Sequence, residues 1–66
     1  MAAIAIVVYP PSESGGRRVR AGEQILGTAY SRRDLVEFLR RAGLEDPDLE
    51  DPGLVEWRGG GAEVWD

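Results

Sequence analysis

Residues 30–44 read YSRRDLVEFLRRAGL, a helix with both of its ends written into the sequence. Ser31 is a good N-cap, and Asp34 three residues later stands where a capping box places Glu. Tyr30, just before the cap, is positioned to pack on Leu35 as a hydrophobic staple. Leu35, Phe38, Leu39 and Ala42 recur at i, i+3, i+4 and i+7, the spacing of one buried face, and Val36 widens that stripe. Gly43 stops the helix, with Leu44 placed to touch Leu39 as in a Schellman ending. On the outer face Arg33, Glu37 and Arg41 stand four apart, an ion-pair ladder worth roughly a few tenths of a kcal/mol per pair. The pattern predicts a helix over 32–42.

Working back toward the N-terminus, residues 17–21 (RRVRA) and 24–30 (QILGTAY) flank Gly22-Glu23, which reads as a tight hairpin turn. Alternation puts Arg18 and Arg20 on one face of the first strand and Val19 on the other. In the second strand Ile25, Gly27 and Ala29 share a face opposite Leu26, Thr28 and Tyr30. Residues 10–16 (PPSESGG) form a flexible loop, and before them residues 3–9 (AIAIVVY) read as a strand. Both faces of that strand are apolar: Ile4, Ile6 and Val8 on one, Ala3, Ala5, Val7 and Tyr9 on the other. A strand apolar on both sides is central and covered twice. One helix covers one face, so the second cover is expected from another copy of the chain, that is, a homodimer.

Beyond the helix, residues 44–53 carry a tandem Leu-Glu-Asp-Pro-x repeat whose two prolines forbid a regular helix. We read this stretch as an acidic connector, with Leu44, Leu49 and Leu54 dipping back to the core. Short strands follow at about 54–57 and 63–65. The near-mirror VEW…EVW allows either one closing hairpin or two separate edge strands, and either way the tryptophans supply apolar area to a small core. The expected fold is therefore a single α+β domain spanning 1–66. It comprises a small antiparallel sheet, made of a three-stranded meander and a short C-terminal strand or hairpin, with one helix packed on one face.

Composition limits what such a domain can do. At 66 residues it buries only about 60% of the surface exposed on unfolding, so a small core needs close packing or a partner. The chain has no Cys, no His and no Lys, which removes disulfides, the usual zinc ligands and the commonest acid–base, thiol and Schiff-base side chains. All eight cations are Arg and there is no Asn, a usage expected of a bacterium with a GC-rich genome. Residues 1–43 carry a balance of +3 and residues 44–66 one of −7, together the net −4. Neutralisation of one half by the other inside the molecule is the simplest expectation. Met1–Tyr9 is apolar but short, lacks a basic leader and runs into Pro10-Pro11. It fits neither a signal peptide nor a membrane span, so a cytoplasmic protein is expected.

No residue set implies a catalytic site, a cofactor or a metal. Gly59-Gly60-Gly61 lacks the Lys-Ser/Thr and helix start of a phosphate loop and reads as a turn. Counted from Asp46 as an EF-hand loop, positions six and twelve hold Asp51 and Trp57 rather than Gly and Glu. Ser12, Ser14 and Ser31 have no histidine or lysine base. An enzyme is not expected. The remaining feature is an interaction surface, for which Arg18, Arg20, Trp57, Arg58 and Trp65 are the candidate residues, since Arg and Trp are enriched at interfaces. The expected role is a small non-catalytic protein–protein interaction or accessory module that self-associates. Alternatively, Arg17, Arg18 and Arg20 on a strand, with Arg32, Arg33, Arg40 and Arg41 on the helix, form a nucleic-acid-binding face. Lastly, a strand hairpin followed by a helix reading DLVEFLRRAGL and short strands resembles the ubiquitin-like β-grasp sulfur carriers, chiefly over the helix. Those carriers end in an exposed Gly-Gly, whereas here Ala62–Asp66 follow the glycines and an extra strand precedes the helix. The resemblance implies a carrier only after trimming at the Gly run.

Overall fold

In the computed structural model, which describes residues 5–65, the elements run β1 (Ile6–Pro11), β2 (Arg17–Ala21), β3 (Gln24–Ala29), α1 (Arg32–Arg41) and β4 (Val55–Trp57). The fold is α+β. Strands β1, β2 and β3 form the antiparallel meander, and the sheet order is β3-β2-β1-β4. The fourth strand joins β1 in parallel, with Ile6, Val7 and Val8 opposite Val55, Glu56 and Trp57, so the sheet is mixed. The direction follows from the connection. β3 and β4 are joined by a helix that crosses the sheet, and such crossovers link parallel strands. Residues 63–65 are not a strand. They belong to a turn that folds back over the sheet end, with Gly16 N–H donating to the Trp65 carbonyl at 2.9 Å. β1 begins at Ile6 and continues through Pro11, where only a loop had been expected; the expected start of this strand at Ala3 and Ile4 lies outside the described residues.

The helix ends follow their local chemistry. Ser31 Oγ accepts from Asp34 N–H at 3.2 Å, and Asp34 Oδ2 accepts from Tyr30 N–H at 3.0 Å, one residue before the usual capping-box donor. At the other end Leu44 N–H donates to Leu39 O at 2.9 Å and Gly43 N–H to Arg40 O at 3.0 Å, both bonds of the Schellman motif, with Gly43 at φ +98°. The staple does not form. Tyr30 is 63% exposed and its ring lies against Gly16 instead of Leu35. The Arg33–Glu37–Arg41 ladder does not close either: among the described residues the ion pairs are Arg32–Glu50 and Arg58–Glu56. Ser31→Ala is expected to lower stability by about 1 kcal/mol, read from the urea midpoint; an unchanged midpoint would show that the cap contributes nothing.

The core lies between the helix and one sheet face. Ile6, Val8, Val19, Ala29, Leu35, Leu39, Leu49 and Val55 form it, with Leu44 and Leu54 packed partly buried at its margin. Phe38 reaches Gly27, whose missing side chain makes room for the ring: a Cβ there would lie 3.1 Å from Phe38 Cζ. Val7 faces the opposite side of the sheet and is still only 4% exposed. Its register partners are Arg20 and Glu56, so long side chains of the same molecule lie beside it on this face, while Ala5 stays exposed. At Val7 the burial is complete within one molecule. Among the described residues no helix is long and apolar enough to cross a membrane.

Candidate functional site

Three adjacent residues on β2 have opposite fates. Arg17 and Val19 point to the helix side and Arg18 to the other. Arg17 is fully buried, yet among the described residues no carboxylate forms an ion pair with it. Its guanidinium has five N–H donors, and each finds a backbone carbonyl. Nε donates to Tyr9 O at 2.8 Å, Nη1 to Gly61 O and Val64 O at 2.8 Å, and Nη2 to Arg58 O at 2.8 Å and Gly60 O at 2.9 Å. Trp57 and Trp65 enclose the cation, their ring centroids 5.2 and 5.8 Å from its central carbon and set edge to face at 6.0 Å. Each indole N–H is itself satisfied, Trp57 by Leu49 O and Trp65 by Ala62 O, both at 2.9 Å. Burial lowers the Arg17 pKa, and the field of Glu63 works the other way. The group stays charged at any physiological pH.

The helix-free face is built differently. Tyr9 lies beside two guanidinium groups, with Arg20 and Arg58 each 5.6 Å from its ring centroid. Arg58 also binds Glu56, whose hydrogen bond and charge raise its pKa. Arg20 Nε is buried and has no hydrogen-bond partner among the described residues. Beside this group a groove of about 640 Å³ runs along the face, walled by Tyr9, Arg18, Ile25, Thr28 and Tyr30 and by the 12–16 loop. Among the described residues Ile25 and Tyr30 are the large apolar side chains left most open, at 50% and 63% exposure.

Arg18, Arg20 and Arg58 thus come together on one surface, and Trp57 and Trp65, proposed for the same surface, do not. Both indoles turn inward around Arg17. No protein family, curated protein or solved structure matches this chain. The extended arginine face is divided as well: Arg17 is buried, and the helix arginines lie across the sheet from Arg18 and Arg20. Among the described residues the ion pair between the halves is Arg32–Glu50, while Glu63 acts on Arg17 through its field. Among the described residues no group of three or more metal-binding side chains is gathered. The Gly59–Gly61 run is neither a phosphate cradle nor a free tail; it bends around Arg17 and presents two carbonyls to it. Sequence reasoning missed Arg17 as a centre, although the alternation that puts Val19 inward puts Arg17 there too.

Proposed function

We propose that this chain is a non-catalytic protein-interaction module that binds an acidic segment of a partner on its helix-free sheet face. The observation that carries the reading is the pair of arginines, Arg20 and Arg58, flanking Tyr9, with Arg18 on the wall of the adjoining groove and, among the described residues, one carboxylate, Glu56, paired with Arg58. Cations flanking an aromatic ring and bordering an open groove suit a carboxylate-bearing chain with an apolar side chain to seat beside Ile25 and Tyr30. The missing Cys, His and Lys support a binding role over catalysis.

A double variant, Arg18→Glu with Arg20→Glu, is expected to abolish retention of partners that the wild type captures from lysate of its native host. Arg18 is exposed and Arg20 half-buried on the face away from the helix-side core, so an unchanged circular dichroism spectrum is required of the variant before its capture is compared. Equal capture by both proteins would sink the reading. The Tyr9 group also favours a second reading, base stacking with phosphate contacts on a single-stranded nucleic acid. The net charge of −4 weighs against it by repelling a polyanion at long range. Retention of a labelled oligonucleotide that falls steeply with salt would replace the protein reading with this one. A carrier role would require removing residues whose carbonyls and indole enclose Arg17, which argues against trimming at the Gly run.

A further inference from the structure

Charged residues make up 30% of this chain, and past Glu13 the interval between Glu23 and Arg32 is a run that holds none. That interval contains β3, an outer strand of the sheet. Among the described residues, β3 pairs only with β2, so its far edge presents unmatched backbone N–H and C=O groups. Native sheets commonly guard such edges with a charge, a proline or a very short strand. The opposite edge follows this practice: β4 has three residues, with Glu56 at its centre and Arg58 just beyond it. β3 has six residues, no charge and no proline, and it carries the half-exposed Ile25. Its register against β2 shifts between Val19 and Arg20, where Gly27 has φ +144°; such a bulge is the one edge-guarding device that β3 carries.

We infer that the edge of β3 pairs antiparallel with β3 of a second copy about a two-fold axis, extending two four-stranded sheets into one of eight. The occupant is a second copy because the edge complements itself. Antiparallel pairing sets the Glu23 end of one strand toward the Arg32 end of the other, whereas parallel pairing would bring like charges together. A two-fold axis also closes the assembly at two chains, since each copy has one such edge. The inference does not depend on what the helix-free face binds. It places self-association on the strand edge and not on the apolar back of β1, which Arg20 already helps to cover.

The ladder is small, so the dimer is expected to be concentration-dependent, from mostly monomer at about 5 µM to mostly dimer at about 500 µM. Light scattering across that range should show the mass rising from 7.2 kDa toward twice that value. Hydrogen exchange of the β3 amides should slow by about tenfold or more over the same range, while the amides of β4 do not change. Ile25→Lys, a charge on the edge, should hold the chain monomeric throughout. A wild type that stays monomeric to the highest concentration overturns the inference. So does a dimer in which the β3 amides exchange as fast as in the monomer; that interface lies elsewhere, and the binding role of the helix-free face stands. Should Ile25→Lys fail to fold, wild-type exchange decides alone.

Discussion

Arg17→Ala is expected to remove a large share of the domain's stability, about 4 kcal/mol. The substitution strips the hydrogen-bond donor from five carbonyls at once, those of Tyr9, Arg58, Gly60, Gly61 and Val64, and leaves a void between Trp57 and Trp65. Unsatisfied buried polar groups cost roughly 1–3 kcal/mol each, and water admitted to the void recovers part of that, so a loss of about 4 kcal/mol is expected. A 66-residue domain has roughly 3–10 kcal/mol in total. Urea denaturation followed by tryptophan emission checks this directly, because both indoles touch the altered site. Arg17→Lys keeps the charge but has three donors on a single nitrogen, which cannot reach carbonyls placed for a planar fork. It is expected to lose about 2 kcal/mol. A loss below about 1 kcal/mol for the alanine variant would show that the carbonyls find other partners and that Arg17 does not organise this end of the sheet.

Gly59→Ala is expected to cost about 2–4 kcal/mol for two separate reasons. Residue 59 has φ +79°, which a side chain disfavours, and a Cβ there would lie 2.7 Å from Pro10 Cβ and 3.1 Å from Pro10 Cα. The neighbour is partly backbone and is held beside Tyr9, whose carbonyl binds Arg17, so it has little freedom to yield. Gly15→Ala separates the two causes. Its φ is +90° but nothing lies within 4 Å of the added carbon, so only the backbone penalty of about 1 kcal/mol applies. The check is the difference between the two urea midpoints. Equal losses would mean that the 59–61 turn moves away from Pro10 without cost, and that its packing does not hold the carbonyls in place.

The two variants act at the feature least legible in the sequence. The helix could be read to within a residue because its signals are local: Ser31 and Asp34 satisfy the first turn, Gly43 and Leu44 the last. The β2–β3 hairpin was equally plain, since Gly22 at φ +59° lies between residues that pair across the turn. Tyr30 shows where local reading stops. Its place before the cap suits a staple onto Leu35, but the 12–16 loop brings Gly16 close enough to receive the ring, and that contact wins. Trp57 and Trp65 read in the sequence both as apolar area for the core and as interface residues; the structure turns both inward, a direction that composition does not record. The groove beside Tyr9 escaped notice for a similar reason, its walls coming from β1, β2, β3 and a loop.

The amino-acid sequence by itself determined an α+β domain with one capped helix, an Arg-bearing hairpin and a connector that returns its leucines to the core. These follow from periodicity and from hydrogen-bonding groups within four or five residues of one another. Only the tertiary structure decided that Arg17 is enclosed while Arg18 is open, that β4 runs parallel to β1, and that the glycine run encloses a cation. Each depends on residues 40 or more positions apart meeting, as Arg17 meets Gly61 and Val64. A buried charge is tolerable only when every donor is met, and the acceptors that meet this one are backbone carbonyls, which no side-chain pattern records.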